Sequence, residues 1–209
     1  MTTLDAHSTG LYLTAIPMTG PEFDGPARWD DAEWVHKKVM SLFPPVSSST
    51  PRATLGVLYR VEPTVGPGRV LIQSHIEPST TSGITKPLPD PVTRYPTGTL
   101  LRGRVTLNTV KTVNRDGTRT RSAVGANAPT ARHAEEALIS WAATKLPFLT
   151  GDITLHRTDH TRKGRTPLVT ATFDLVGTVI DPAGLTDAIR NGVGKARAYG
   201  CGLLTVAPV

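Results

Sequence analysis

One cysteine, Cys201, is all the thiol this 209-residue chain contains. No intrachain disulfide and no multi-cysteine zinc site can be built from it, and a reducing, cytoplasmic setting is expected. Aromatics make up only 5% of the residues, too few for rows of rings on which successive bases of a single strand would stack. No apolar run approaches the roughly 20 residues of a membrane helix. The opening MTTLDAHSTG has neither a basic start nor an apolar signal core, so no membrane association is expected. The nucleotide P-loop pattern G-x-x-x-x-G-K-[ST], the strand-borne dinucleotide fingerprint and the H-E-x-x-H zinc pair are also missing, and neither cofactor nor metal is expected.

What the chain does have is an ordinary apolar content of 38%, together with 18 prolines and 19 glycines that imply many turns. Its length accommodates one substantial core or two smaller ones. The formal charge of +6 is unevenly spread. Residues 102 to 165 hold twelve Lys/Arg against five Asp/Glu, a balance of +7, so the remainder of the chain is −1. A basic middle on an otherwise neutral protein points to a polyanion, with nucleic acid the first candidate.

Along the chain, GLYLTAIPM alternates as a strand, and DDAEWVHKKVMSLF places Ala32, Val35, Val39 and Leu42 at helical spacing behind a cap at Asp30 or Asp31. Two β-rich runs, ATLGVLYRVE and RVLIQS, follow around PTVGPG. Residues 77–98, rich in Pro, Ser, Thr and Gly, read as a linker between an N-terminal unit (10–76, after a polar tail 1–9) and a C-terminal unit (99–209). In the second unit a strand, an Asp116-Gly117 turn with a short returning strand, the helix RHAEEALISWAATKL, the strands DITLHR and LVTATFDLVGTVI, the helix AGLTDAIR and the strand GLLTVAPV succeed one another. The order β-α-β-β-α-β is that of a ferredoxin-like domain, and the first half repeats most of it. The expected fold is therefore α+β, two ferredoxin-like domains in tandem.

Three places carry residues suited to chemistry or binding. His36 lies in the second turn of the first helix beside Lys37 and Lys38, where an imidazole bordering a basic surface could exchange a proton near neutral pH. Glu33 one turn earlier favours its charged form and the positive helix start disfavours it, which leaves the net effect open. LHRTDHTRKGR puts Arg157, Arg162, Lys163 and Arg165 against Asp159 near a hairpin tip, a cationic finger for phosphates. His156 and His160, four apart, lack the partners of a zinc site. Finally, NGVGKARAYGCG gathers Gly192, Gly194, Gly200 and Gly202 around Lys195 and Arg197. Such a segment either cradles phosphate with exposed N–H groups or is a glycine helix stop with a tight strand entry. Arg102, Arg104 and Lys111 of the basic middle complete the cations assigned to RNA, and scarce aromatics favour a folded RNA read through phosphates and 2′-hydroxyls.

Taken together, GVGKARAYGCGLLTVAP, EWVHKKVMSLFPP with its histidine seven residues before Phe43, LYRVE and WAATKLPF resemble the CasE-type CRISPR repeat endoribonucleases of the Cascade complex, within the RAMP superfamily. The resemblance runs over nearly the whole chain. It implies a protein that binds the stem-loop of a CRISPR repeat, cuts the precursor at its 3′ base without a metal, and stays on the guide with other Cascade subunits. It places the catalytic histidine on His36, the stem-binding hairpin on 157–165 and the glycine-rich loop on 192–202. Where some members carry a tyrosine one turn before the histidine this chain has Glu33, so the resemblance names no partner for His36. Two rival readings are a structural RNA-binding subunit of the same fold with an inert His36, and a small-molecule enzyme whose glycines hold a phosphorylated ligand. The charge distribution disfavours the second.

Overall fold

The computed structural model describes residues 10–63, 68–115 and 118–209. The polar tail 1–9, residues 64–67 of the PTVGPG connection and the Asp116-Gly117 turn lie outside the described residues. The elements are β1 (Leu11–Pro17), α1 (Ala32–Met40), α2 (Pro51–Thr54), β2 (Leu58–Glu62), β3 (Arg69–Ser74), β4 (Ile84–Leu88), α3 (Pro91–Arg94), β5 (Leu100–Asn108), β6 (Val110–Arg115), β7 (Thr118–Ala123), α4 (Ala131–Ala143), β8 (Leu149–Lys163), β9 (Thr166–Val179), α5 (Pro182–Asn191) and β10 (Thr205–Pro208). Short 3-10 turns occupy Pro21–Phe23 and Arg197–Tyr199.

Two antiparallel four-stranded sheets run in the orders β2-β3-β1-β4 and β10-β5-β9-β8. In each, the first strand lies between the third and the last, which is the ferredoxin-like order, so the fold is two such units in tandem. The β6-β7 ribbon is an added hairpin after β5. Asp31 caps α1, its carboxylate accepting from Glu33 N at 3.0 Å and Trp34 N at 3.3 Å. Ala32, Val35 and Val39 on one stripe of that helix are buried, and Val35 and Val39 pack with Tyr59, Val70 and Ile72 of the first sheet. Thr130 and Asp181 cap α4 and α5 in the same way.

The stretch 77–98 is more structured than a linker reading implies. β4 pairs with β1 from Leu11↔Leu88 to Ala15↔Ile84 and closes the first sheet. It lies at the sheet edge with Ile84 exposed, and it tolerates Pro87, which lacks an N–H. Half-exposed edge strands give little apolar periodicity, which is why this one is hard to read. Where the second unit reaches its last strand through α5, the first uses a loop. Glu22 clasps that loop, accepting from Thr80 Oγ1 at 2.6 Å, Thr81 N at 2.7 Å, Ser82 N at 3.0 Å and Ser82 Oγ at 2.5 Å. Burial alone would raise the Glu22 pKa, but the hydrogen bonds from Ser82 and Thr80 outweigh it and hold the carboxyl well below the usual range.

The units join through faces their helices leave open. Leu58, Leu71 and Leu203 form a small apolar cluster there. Next to it Arg60, 2% exposed, donates to the carbonyls of Arg104 and Leu203 at 3.0 Å each, to Thr205 Oγ1 at 3.0 Å and to Glu62 at 2.9 Å. Gln73 donates to the Ile189 carbonyl at 2.6 Å, and the Tyr59 hydroxyl to that of Ala198 at 2.9 Å. Burial pushes the Arg60 pKa down and the Glu62 charge pushes back, while Arg60 and Arg69 hold the Glu62 pKa low against its burial. Removing Arg60 leaves Glu62 with Arg69 at 2.8 Å, but it takes the donor from the Arg104 and Leu203 carbonyls, at a cost of about 1–3 kcal/mol for each group left unsatisfied. Arg60→Ala should lose that much in urea-unfolding stability, and a loss under about 1 kcal/mol would show that the tie is not structural.

Candidate functional site

The site forms where three elements from both units converge. The tip of the β8-β9 hairpin rests on the start of α1: Arg162 N donates to the Asp30 carbonyl at 2.9 Å, and its guanidinium lies 3.3 Å from the Asp30 carboxylate. The 3-10 turn Arg197–Tyr199 meets the same helix, with the Tyr199 ring edge-on to the His36 imidazole at a centroid distance of 6.0 Å. Lys163 Nζ sits 4.7 Å above the Tyr199 ring.

His36 is half-buried, and its Nδ1 is buried with no hydrogen-bond partner among the described residues. Burial lowers its pKa below the ordinary imidazole value, and the nearby Arg52 cation lowers it further against the opposing pull of Glu33. The lowered pKa favours the neutral imidazole. Arg52, itself half-buried, donates to the Val57 carbonyl at 2.7 Å and shares the neighbourhood with Arg197. Hydrogen bonding to the Tyr199 hydroxyl raises the Lys163 pKa. The imidazole thus has Arg52, Glu33 and Tyr199 as its neighbours, with Lys163 over the Tyr199 ring and Arg197 beside Arg52, an arrangement that can move a proton beside an anion.

The other assigned cations divide by what they touch. Lys37, Lys111, Arg102, Arg165 and Lys195 are exposed. Lys38 donates to the Asp24 carbonyl at 2.9 Å and lies over the Trp34 ring. Arg102 is on the open face of β5, across from Val176 and Ala207, and Lys111 on the β6-β7 ribbon. Arg104 and Arg157 depart from the expectation. Arg104 holds both oxygens of Asp174, at 2.6 and 2.9 Å. Arg157 donates to the Val61 carbonyl at 2.8 Å and lies 2.8 Å from Asp159. Both guanidiniums tie protein elements together, because each found a carboxylate two positions or one strand away. His156 stands 3.4 Å from Asp174, away from His160 along the strand.

The glycine segment divides into a buried and an exposed part. Gly192 and Gly202 are buried, and the segment is stapled by Val193 N to the Gly202 carbonyl at 2.9 Å and Gly202 N to the Thr106 carbonyl at 2.8 Å. Gly192 and Gly202, assigned to RNA in the sequence, are thus held inside the protein by backbone hydrogen bonds. Gly194 and Lys195 face solvent, and Gly200 packs near the Tyr59 ring. Arg197 donates to the Gly194 carbonyl at 3.1 Å, and Ala196 between them holds φ +61°, a left-handed conformation that alanine adopts only at a cost. Cys201 is buried, and burial pushes its thiol pKa up to about 12.

The model of a family described as CRISPR associated protein matches residues 11–208. The chain belongs to that family. Among solved structures, the CRISPR associated protein family's Cas6e from Escherichia coli K-12 is 26% identical, covering 95% of this chain and all of that one, with a TM-score of 0.66. Thermus thermophilus Cse3, bound to an RNA representing a pre-cleavage complex, is 21% identical over 95% of this chain and all of its own, with a TM-score of 0.71. A chain of a CRISPR RNA-guided surveillance complex is 18% identical over the same shares, with a TM-score of 0.61. No curated protein matches the chain in sequence.

For this CRISPR associated protein, sequence reasoning missed two residues of the site. Tyr199 had a signal, as the one aromatic inside KARAYGCG; Arg52, in a one-turn helix ending a serine-rich loop, had none. The segment's two roles separate by substitution. At Gly194 (φ +76°) an added Cβ meets only Leu107 at 3.7 Å, whereas at Gly202 (φ +87°) it meets the Val193 carbonyl oxygen at 2.7 Å and at Gly192 (φ +79°) Leu58 at 2.8 Å. Gly194→Ala should cost about 1–2 kcal/mol, the left-handed penalty alone. Gly192→Ala and Gly202→Ala should cost more, and thermal unfolding that ranks all three alike would refute the division.

Proposed function

We propose that this chain is an endoribonuclease that binds the stem-loop of a CRISPR repeat and cuts the precursor RNA at the 3′ base of the stem. The observation that carries this reading is the half-buried His36 imidazole, its pKa lowered by burial and by Arg52, facing Tyr199 where the Lys163 cation lies over that ring. The family membership and the RNA-bound Cse3 relatives support it.

In the proposed reaction the RNA supplies its own nucleophile. His36 takes the proton of the 2′-hydroxyl, the 2′-oxygen attacks the adjacent phosphorus, and the bond to the 5′-oxygen breaks. The products are a 2′,3′-cyclic phosphate and a 5′-hydroxyl, the leaving oxygen gaining a proton from His36 or from solvent. Lys163 and Arg197 offset the charge that builds on the phosphate. Tyr199 holds Lys163 and walls the imidazole. No metal enters this scheme. The exposed cations Arg162, Arg165, Lys37 and Lys195, with Gly194 at the turn, contact phosphates of the stem. The likeness to a chain of a surveillance complex supports retention on the guide beside other Cascade subunits.

His36→Ala should slow single-turnover cleavage by about 10²–10⁴-fold with RNA affinity nearly unchanged, and a chelator should leave the parental rate intact. The rate should fall on the acid side with a midpoint below about 6.5, because protonating His36 removes the base and its pKa is lowered. Near-parental cutting by a folded His36→Ala protein would rule His36 out as the base, and absence of cutting by the parental protein would assign the chain to RNA binding alone. Separately, Lys163→Ala with Arg197→Ala should flatten the salt dependence of binding by about one unit of slope per cation. An unchanged slope would remove those two residues from the phosphate contacts.

A further inference from the structure

Beside the His36 site lies a cavity of about 130 Å³, open to solvent, that the proposed reaction does not use. Trp29, Tyr59, Val61 and Tyr199 give it apolar walls, and Asp159 and Thr161 of the hairpin give it a polar edge. Three of the chain's eleven aromatics thus line a single space. The scarcity that argues against a row of stacked bases is compatible with one. Trp29 is fixed by Phe23 and Trp34, at centroid distances of 5.1 and 5.3 Å, and so is placed before anything binds.

Size, chemistry and position agree on the occupant. A protein cavity of about 150 Å³ takes one benzene ring, so this one suits a single ring system with its substituents at the mouth. The Asp159 carboxylate only accepts hydrogen bonds; it lies 2.8 Å from Arg157, which also lines the cavity and donates to the Val61 carbonyl, while Arg60 in the lining is bonded across the units. It complements a ring edge that carries an amino group. Tyr199 borders both the cavity and His36, so a ring in the cavity belongs to a nucleotide next to the phosphate at the imidazole.

We propose that the cavity receives one unstacked, amino-bearing nucleobase of the RNA strand adjacent to the cut. This rests on the ribonuclease reading above. Holding that base outside the stack fixes the sugar and phosphate beside it, and it adds a base-specific contact to a surface that otherwise reads phosphates.

The test uses the full chain and the host's repeat stem-loop with unpaired flanks, carrying an abasic ribonucleotide at one position at a time on either side of the cut. One position should weaken binding or single-turnover cleavage by about tenfold or more, the contribution of one stacked base. At that position uridine, which keeps the ring but lacks the amino group, should fall between the abasic residue and cytidine. Thr161→Phe, which fills the cavity, should bind the intact RNA as weakly as the parent binds the critical abasic RNA, whereas Thr161→Val, which keeps the room, should retain the base dependence. Thermal unfolding checks both variants, and the parental abasic series decides the matter if Thr161→Phe fails to fold. Cleavage indifferent to every abasic position overturns the base site and leaves the ribonuclease reading standing. Binding of a free nucleoside with no binding of the repeat RNA overturns both.

Discussion

The architecture depends on one guanidinium. Arg60 leaves the first sheet, is almost completely removed from water, and spends its donors on two carbonyls and a hydroxyl of the second unit while Glu62 balances its charge. Burying such a group is expensive, and only a fully bonded geometry offsets the cost. The two open sheet faces are thereby restricted to one mutual arrangement. A purely apolar contact of Leu58, Leu71 and Leu203 would permit sliding; directional bonds to the Leu203 and Arg104 carbonyls do not.

That restriction matters because neither unit owns the site. His36 and Arg52 come from the first, and Lys163, Arg197 and Tyr199 from the second. The hairpin tip is pinned to α1 through Arg162 and Asp30, and its base to β2 through Arg157 and Val61. The last turn is pinned through Tyr59 to the Ala198 carbonyl. Several of the basic residues near the site are therefore scaffolding for the few that remain free to meet an anion. The depressed proton affinity of His36 follows from the same convergence, since burial by the opposing unit and the cation on α2 act in one direction.

Much of this was legible in the sequence. Element order alone led to two ferredoxin-like units, because the stripes of α1 and α5, their caps at Asp31 and Asp181 and the alternation of β5 and β9 are local signals. β4 was not legible, since an edge strand containing proline and one exposed isoleucine buries too little to show a period. His36 was singled out as a candidate from its helix and its cationic neighbours, whereas Tyr199 and Arg52 became its companions through contacts 163 and 16 positions away, which no local pattern reports. Charge counting treated every cation alike. Arg104 and Arg157 differ from Arg165 only in having a carboxylate within reach, and that is a property of sheet register.

The buried Cys201 has a practical consequence. A thiol reacts as its thiolate, and burial, which also pushes the thiol pKa up to about 12, should keep the native sulfur from reacting with maleimides, iodoacetamide and peroxide in the folded state. A cysteine introduced on the hairpin tip or on α1 would then be the sole labelled position without any need to remove the natural one. Fluorophores or spin labels at such sites would report the spacing of the two units, with and without RNA, in an otherwise unaltered protein.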